Sequence, residues 1–433
     1  MPSPNPFDHD NLTISLSPLF PNQVLDIKRE KLTLKQKDKL KKIKFEYQQK
    51  QTIKKVFVFN DGQTRHSFSE PIVAPNPFEN FYMNQTFPNQ RTLGMDIANT
   101  FENRELLQML IVAPTQSGKT GAMLATLYQF LQRPTLSLPK QNIFIFTSHS
   151  SKEWLLQTRN RLPTWFANQI YHRNQLKAFI QRVKPLQNVL ILFDESHIAS
   201  KSNQTLYKLY FQLDLYNIAR LYEKDIKLIH FTATPESLPD SIIKHWRHTT
   251  KILHMQVPAN YLSIETLIQS KRVFESKDLC GYNPLTKTIR PEVYDNIAEI
   301  KPFLGIEPKL HIIRTPRGIL HDVVMQNFKH VFKDDFGLVS EPSLTNFDAF
   351  LDSPVDKHTF VFIKDKLRCA KTIPHQHIGV LYERIIIRPI LSSVIQGLLG
   401  RLTGYHMNHN SVVFTALSFL SSQHKPLPNF LDV

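Results

Sequence analysis

The stretch Met109–Met123 reads MLIVAPTQSGKTGAM, and it decides the fold of the first half of the chain. An apolar run leads into a loop with the letters SGKT, and a segment with helical spacing of leucines follows. This order resembles the phosphate-loop pattern G-x-x-x-x-G-K-[ST] between a strand and a helix. Ala113 stands at the first glycine of that pattern, and Gln116 stands where many such loops carry another glycine. The stretch therefore predicts a strand, a phosphate-binding loop and a helix.

The residue types of this loop suit a nucleoside triphosphate. Backbone amides of a turn that opens a helix point at phosphate oxygens. Lys119 would face the outer phosphates, and the hydroxyl of Thr120 would bind Mg²⁺. We therefore expect ATP and Mg²⁺ as cofactors, with nucleotide contacts from Thr115, Gln116, Ser117, Gly118, Lys119, Thr120 and Asp194.

A second motif is an acidic cluster, Asp194-Glu195-Ser196-His197, which directly follows the apolar segment NVLILF (188–193). A carboxylate at the tip of a neighbouring strand is what Mg²⁺ requires beside a phosphate loop, so Asp194 is the second metal ligand after Thr120. The adjacent Glu195 can deprotonate an attacking water. Alone, this cluster would be read as the start of a helix; together with the SGKT loop it indicates a nucleotide hydrolase.

The charge of the chain points to a polyanionic partner. The formal net charge is +16 over 433 residues, from 53 Lys and Arg against 37 Asp and Glu. Nucleic acid is the usual partner of so basic a protein, and an anionic membrane surface is the weaker alternative. Residues 28–55 are rich in Lys and predict a basic helix. A solvated surface helix is its plainer interpretation, and an arm facing nucleic acid is the functional one.

Cysteine content and hydropathy bear on the compartment. The two cysteines, Cys280 and Cys369, belong to no CxxC or Cys/His cluster, so neither a disulfide framework nor a zinc site is expected. The N-terminal residues lack the apolar run of a secretory signal. Apolar runs are shorter than the ~20 residues that span a bilayer. We expect an intracellular protein, cytoplasmic, nuclear or at a viral replication site, that is neither secreted nor membrane-bound.

Apolar strands that alternate with helical segments predict an α/β fold with parallel sheets covered on both faces. The pattern occurs twice, so we expect two α/β units in tandem. The expected boundaries are an N-terminal extension at 1–90 whose first 26 residues look irregular, a first domain at 91–240, a connector at 241–305 and a second domain at 306–433.

Further motifs carry a family resemblance. The loop, the DESH cluster and Thr232-Ala-Thr-Pro235 stand in the order and spacing of motifs I, II and III of superfamily 2 helicases, and Ala113 is an ordinary variant there. The segment Gln396–Gly404, QGLLGRLTG, resembles motif VI, although it has one extra residue before Gly-Arg and glycine in place of the second arginine. The chain is most similar in character to the DExH helicases of large DNA viruses and mobile elements.

The resemblance implies two RecA-like domains with ATP in the cleft between them. It assigns catalytic roles to Glu195, to Gln396 and His197, and to Arg401 as an arginine finger. By motif position, Ser148, Arg314 and Arg368 are the candidate nucleic-acid contacts. DNA is expected more than RNA, and protein partners would supply targeting.

Three functions remain open on these residues: a helicase, a duplex translocase, and a nucleic-acid-binding scaffold with weak ATPase activity. Two tryptophans, Trp154 and Trp165, are expected in the core, although either could stack on bases. Three histidines without a partner pattern are expected to be structural: His172, His230 and His245.

Overall fold

The computed structural model describes most of the chain in two compact units, Met1–Asn76 and Pro77–Val433. The described residues are 11–15, 24–28, 77–136, 138–150, 152–195, 204–235, 249–364, 367, 373–405 and 410–422. In the first unit, strands β1 (Asn11–Ser15) and β2 (Val24–Lys28) pair antiparallel, although residues 1–26 were expected to be irregular and Lys28 to begin a helix. Beyond Lys28, the predicted basic helix at 28–55 lies outside the described residues.

The first lobe of the second unit, residues 77–254, is built on one six-stranded sheet. Its strands are β3 (Gln108–Val112), β4 (Ile143–Thr147), β5 (Ile170–His172), β6 (Val189–Asp194), β7 (Ile226–Thr232) and β8 (Thr250–His254). Every neighbouring pair is parallel, in the order β5-β4-β6-β7-β3-β8. The helices are α1 (Pro77–Gln85), α2 (Pro88–Phe101), α3 (Lys119–Gln132), α4 (Lys152–Asn160), α5 (Leu176–Val183), α6 (Thr205–Gln212) and α7 (Ile218–Glu223).

Strand β6 shows why this sequence forms a covered parallel sheet. Successive side chains of a strand point to opposite faces. Leu190 and Leu192 pack into the layer that contains α2 and α3, while Ile191 and Phe193 pack into the layer that contains α5 and α6. Because both faces are covered, the strand is apolar throughout and does not alternate.

The second lobe, residues 264–422, repeats this plan. Its main sheet has the parallel order β13-β14-β12-β15-β16-β9, and a separate hairpin pairs β10 with β11. The strands are β9 (Val273–Glu275), β10 (Tyr282–Asn283), β11 (Thr288–Ile289), β12 (Leu310–Arg314), β13 (Gly337–Ser340), β14 (Thr359–Ile363), β15 (Ile378–Tyr382) and β16 (Val412–Thr415). The helices are α8 (Ile264–Gln269), α9 (Glu292–Ala298), α10 (Ile319–Phe332), α11 (Phe347–Leu351), α12 (Leu391–Ile395), α13 (Leu398–Leu402) and α14 (Leu417–Ser422).

The fold class predicted from the sequence is confirmed: two α/β lobes with all-parallel main sheets follow one another along the chain. The segment 241–305, expected to be a connector, contributes a strand to each sheet, β8 to the first and β9 to the second. The helical segment expected at 389–399 is divided into α12 and α13, with the break at Gln396-Gly397. Among the described residues, no helix combines the length and the apolar content that crossing a membrane requires.

The parallel arrangement determines where the functional motifs meet. In a parallel sheet the carboxyl ends of all strands lie at one edge, where ligands of α/β proteins bind. In the first lobe this edge carries the SGKT loop after β3, the acidic pair at the end of β6, and Thr232 at the end of β7. The edge therefore gathers the first three motifs.

Candidate nucleotide site between the two lobes

The phosphate loop turns sharply from β3 into α3. Gly118 has a φ of 92° and caps α3, whose first residue is Lys119. Gln116 also adopts a left-handed conformation, with a φ of 56°. The side chain of Gln90, from α2, closes the loop from behind and donates to the carbonyl of Gly118 at 3.2 Å. A Cβ at Gly121 would lie 2.1 Å from Oε1 of Gln90, so a larger residue there would displace the Gln90 amide.

The acidic pair lies beside the loop. Asp194 ends β6, and Glu195 follows it with a φ of 51°. Oε1 of Glu195 lies 3.1 Å from Nζ of Lys119. The structure thus brings together the loop lysine and the carboxylate that the sequence predicted as the general base.

Asp194 is buried, and its two carboxylate oxygens differ. Oδ2 accepts a hydrogen bond of 2.7 Å from the indole N–H of Trp154, whereas Oδ1 has no hydrogen-bond partner among the described residues. Burial raises the pKa of Asp194 to about 6, and the charge of Glu195 adds to the rise, while Lys119 and Trp154 oppose it. A buried carboxylate oxygen without a donor is costly unless a cation or donor satisfies it.

Asp194 and Thr120 fit a magnesium ion held between protein and phosphates. Mg²⁺ in nucleotide sites is commonly held through one or two carboxylates plus substrate phosphates. The lone Oδ1 of Asp194 supplies such a carboxylate oxygen, and Thr120 lies in the first turn of α3. The donor set therefore suits the cofactor that the sequence predicted.

The second lobe reaches the same carboxylate. Nε2 of Gln396 donates to Oε2 of Glu195 at 3.1 Å, so Glu195 contacts Lys119 through one oxygen and Gln396 through the other. Arg401, in α13, is buried, and its carbonyl oxygen lies 2.7 Å from Nε2 of His375. Of the predicted catalytic residues, Glu195 and Gln396 are in contact, and His197 lies outside the described residues.

The loop and motif VI are also joined by hydrogen bonds that the sequence did not predict. The hydroxyls of Thr115 and Thr403 lie 2.9 Å apart. The carbonyl of Thr115 accepts from the hydroxyl of Tyr261 at 2.5 Å, and that of Ser117 accepts from Tyr405 at 3.0 Å. Burial raises the pKa of Tyr261 to about 12. In this conformation the second lobe is bonded to the main chain of the phosphate loop.

Gln116 takes part in this network and does not point back into its own loop. Gln116 was expected from the sequence to be among the residues that contact the nucleotide. Its Nε2 instead donates to the carbonyls of Gly400 and Arg401, at 2.9 Å and 2.8 Å.

Two of the three predicted nucleic-acid contacts, Arg314 and Ser148, are placed in the interior. Arg314 is 4% exposed, lies 2.7 Å from Glu383, and donates to the carbonyl of Leu367 at 3.1 Å. That position suits a structural ion pair better than a contact with a strand. Ser148, which follows β4, is 2% exposed, and its hydroxyl has no partner among the described residues. Arg368 lies outside the described residues.

The tryptophans and histidines that were expected to be structural lie in or against the core wherever the structure describes them. Trp154 lies in the core, but its hydrogen bond to Asp194 was missed, since a helical apolar spacing carries no sign of what an indole N–H will meet. Trp165 packs against the same core, and Nζ of Lys140 lies 3.7 Å from the centre of its ring. His172 and His230 are buried, and His245 lies outside the described residues.

Gln90 is a further residue of the site that the sequence reasoning missed. Its signal lay in its neighbours: Pro88 opens α2, and Gln90 is the third residue of that helix, where its side chain accepts from the backbone of Phe87 at 2.9 Å. Capping held it in place, and the contact with the loop follows from the packing of α2 on α3.

Comparisons with known proteins agree with this fold. No family model matches the chain. The Acanthamoeba polyphaga mimivirus protein L594 is 25% identical over 337 residues, which cover 71% of this chain and 80% of the mimivirus protein. The structure of the DEAD-box helicase Mss116 bound to ssRNA and UDP-BeF matches with a TM-score of 0.52 at 14% identity, over 82% of this chain and 78% of that one.

A longer protein is also similar. The Escherichia coli DExH-box NTPase HrpB matches with a TM-score of 0.46 at 14% identity, over 79% of this chain but only 43% of HrpB. The likeness to Mss116 is the one that carries the fold. The chain thus has the fold of the DEAD-box helicase Mss116, two RecA-like α/β lobes in tandem, and the resemblance predicted from its motifs is confirmed for the fold.

Proposed function

We propose that this chain is a nucleic-acid-stimulated ATPase of the helicase type, which binds ATP with Mg²⁺ between its lobes and moves along or unwinds nucleic acid. The observation that carries the proposal is the contact chain Lys119–Glu195–Gln396, with 3.1 Å at each link. It joins the phosphate-loop lysine of one lobe, the candidate base, and a motif VI residue of the other lobe at a single carboxylate.

The chemistry follows from how Glu195 is held. In this conformation one oxygen of Glu195 pairs with the ammonium of Lys119. An incoming triphosphate offers Lys119 a stronger anionic partner, and the exchange leaves that oxygen of Glu195 able to accept a proton from water. Gln396 keeps the other oxygen in place, so the carboxylate stays oriented.

Two further groups complete the proposed reaction. When bound, Mg²⁺ supplies positive charge to the outer phosphate oxygens. Asp194 would supply Oδ1, which has no hydrogen-bond partner among the described residues, while Trp154 donates to its other oxygen. Arg401 would stabilise the negative charge that develops on the transferred phosphoryl group, which is the role of an arginine finger.

Nucleic acid is the proposed partner because the chain is strongly basic and because the matched Mss116 structure holds ssRNA. DNA remains the preferred polymer on the sequence resemblance, and protein partners would provide targeting. Ser148 and Arg368 are proposed contacts by motif position only. Arg314 is proposed to act through its ion pair with Glu383, not on the strand.

The test is ATP turnover with and without single-stranded DNA or RNA, in the wild type and in Glu195→Gln. Removing the base should lower kcat by about 100-fold or more while ATP binding persists, since general base catalysis contributes 10²–10⁴-fold. Glu299→Gln is the matched control, because Glu299 is a carboxylate paired with a lysine, Lys277, on the surface. Equal turnover of wild type and Glu195→Gln would remove Glu195 from the mechanism.

One observation favours a second candidate, a scaffold that binds ATP and hydrolyses it slowly: Thr403 and Tyr405 of the second lobe already donate to the loop carbonyls of Thr115 and Ser117. Tight ATP binding with negligible turnover, with or without nucleic acid, would favour the scaffold. Given turnover, displacement of a strand from a partial duplex identifies a helicase, whereas movement that leaves the duplex paired identifies a translocase.

A further inference from the structure

We infer that Gln116 is a positioning residue that holds the helix of the candidate finger, α13, against the phosphate loop. This inference deepens the proposed function and rests on it. The side-chain amide of Gln116 has two N–H donors and the structure gives it two acceptors, the carbonyls of Gly400 and Arg401. Loop and finger are thus linked through the backbone of Arg401 itself.

The acceptors are the carbonyls of a helix end. The last four carbonyls of a helix have no intrahelical partner and must be satisfied from outside. Helix α13 has only five residues, Leu398–Leu402, so the carbonyls of Gly400 and Arg401 belong to this group. Gln116 therefore acts as a C-terminal cap supplied from the opposite lobe.

The other end of α13 is held from within its own lobe. The backbone N–H of Leu398 donates to Oε2 of Glu383 at 3.3 Å. A Cβ at Gly397 would lie 2.8 Å from that oxygen, so the close approach depends on glycine. So short a helix is marginal alone. Glu383 bonds one end, and Gln116 bonds the other end across the cleft, where His375 and Thr403 also contact the carbonyls of Arg401 and Gly400.

The backbone at Gln116 supports a retained function for the side chain. A φ of 56° is uncommon for a residue other than glycine and costs on the order of 1 kcal/mol or more. Glycine would adopt it without strain, and glycine is common at this position of related loops. Two hydrogen bonds across the cleft offset that cost.

Gly404 lies next to the side chain of Gln116. This residue stands where motif VI has its second arginine, and it has a φ of 120°. A Cβ there would lie 3.5 Å from Cβ and 3.7 Å from Oε1 of Gln116, already in van der Waals contact. Two of the departures from the helicase motifs, Gln116 in the loop and Gly404 in motif VI, therefore face one another. Where the second lobe lacks a side chain, the loop extends one across the cleft.

The consequence is that Arg401, the candidate finger, should move together with the phosphate loop. A change of the loop on nucleotide binding is transmitted to the main chain of Arg401 through the amide of Gln116, without a charged intermediary. Because the link is made by a neutral amide, its strength should depend little on salt, unlike an arginine contact.

The test compares Gln116→Glu and Gln116→Gly with the wild type. The glutamate keeps the shape but loses the N–H donors, and the glycine removes the side chain and relieves the backbone. Both should lower kcat for nucleic-acid-stimulated ATP hydrolysis about tenfold or more, because small displacements of a catalytic group are costly. Binding of a fluorescent ATP analogue should change less than about twofold, because the loop contacts with phosphate are made by backbone.

Two controls separate positioning from general stability. Lys287→Gly relieves a positive φ of 57° in the exposed β10–β11 turn and should leave kcat unchanged. In an Arg401→Ala background, Gln116→Glu should add no further loss of kcat, because both changes then act through one group. Independent, multiplicative losses would overturn the inference.

Amide hydrogen exchange of residues 396–405 provides a readout that needs no turnover. Exchange there should rise in both Gln116 variants and stay unchanged in Lys287→Gly, since loss of a cap raises local opening. Unchanged exchange would overturn the inference whatever the ATPase activity. Absent turnover in the wild type would instead defeat the proposed function, and normal kcat in both Gln116 variants of an active enzyme would defeat only the role of Gln116.

Discussion

The two lobes each bury an ion pair at the carboxyl edge of the main sheet, and the two pairs are built differently. In the first lobe, Lys119 and Glu195 lie 3.1 Å apart, and Glu195 shares its other oxygen with Gln396 of the second lobe. In the second lobe, Arg314 and Glu383 lie 2.7 Å apart, with the carbonyl of Leu367 as a further acceptor.

The difference between the two ion pairs shows which charged side chains could change partners when a ligand binds. Arg314 and Glu383 are bonded to one another and to groups of their own lobe, since Arg314 donates to the carbonyl of Leu367 and Glu383 accepts from the first residue of α13. Lys119 and Glu195 lie beside the lone oxygen of Asp194, where an anion and a cation could replace the partners present. A buried charge that is fully partnered positions its neighbours, whereas one with a replaceable partner takes part in chemistry.

The largest expected effect tests whether the second lobe contributes chemistry as well as support. Arg401→Ala should lower kcat by about 10³-fold, because an arginine finger contributes 10³–10⁵-fold. ATP binding should persist. Steady-state ATPase assays with saturating single-stranded DNA measure the change, and Arg384→Ala, a half-buried arginine of the same lobe, serves as control. Normal turnover in Arg401→Ala would mean that Arg401 takes no part in catalysis and that its lobe has a structural role only.

The next effect concerns the stability of the second lobe. Glu383→Gln leaves the Arg314 guanidinium buried without its counter-ion and should cost about 3 kcal/mol, the lower end for breaking a buried pair. Urea unfolding measures the loss. Glu292→Gln, in an exposed pair with Arg290, should cost under about 1 kcal/mol. If the two substitutions cost the same, the buried pair Arg314–Glu383 does not have the structural role assigned to it.

A smaller effect is expected at the cation side of the first lobe. Trp154→Phe keeps the aromatic packing but removes the N–H that donates to Oδ2 of Asp194. Magnesium-dependent ATP affinity should fall about 10- to 100-fold, as for other groups that orient metal ligands. Titration of Mg²⁺ against a bound fluorescent nucleotide measures it, with Trp165→Phe as control. Unchanged Mg²⁺ dependence would leave Trp154 a core residue only.

The smallest effect compares the lobes through one buried histidine in each. Burial lowers the pKa of His230 and of His311 to about 3, far below the usual 6.5. Because the folded state holds both rings neutral, their stability contribution is full above pH 6.5 and is lost as the pH falls toward 3. Each of the two histidines should lower the free energy of unfolding by about 1.4 kcal/mol for every pH unit below 6.5 in that window.

Urea unfolding at several pH values between about 7.5 and 5 measures this slope. His230→Gln should remove one histidine's share of it, because an amide does not titrate in this range. A slope that is the same in His230→Gln as in the wild type would contradict the assignment.

The central strands of both sheets were predictable because continuous apolar runs need both faces covered, as β6 and β14 show. The edge strands β5 and β13 were missed: they have three and four residues, and the side chains of β13 are all half-exposed. Their pairing comes from the neighbouring strand, β4 or β14, and not from a pattern of their own.

Side chains of the first lobe's site were predictable, since Lys119, Asp194 and Glu195 are types that phosphate and magnesium chemistry demands. The contacts of the second lobe were less so. Gln116 binds main-chain carbonyls, which every residue possesses and no sequence distinguishes. Only the oddity of Gln116 and Gly404 was visible, and their proximity required the fold.

The crossing between the lobes has a consequence for how they find one another. Met255 bonds the end of β3, its N–H donating to Val112 at 2.9 Å, and Leu262 pairs with Gly404 in the second lobe. Only the residues 256–261 lie between, so they form a short tether. A tether of this length keeps the two faces of the cleft at an effective concentration in the millimolar range. Contacts too weak to join two separate proteins are then enough to close the cleft, and lengthening the tether should loosen every one of them together.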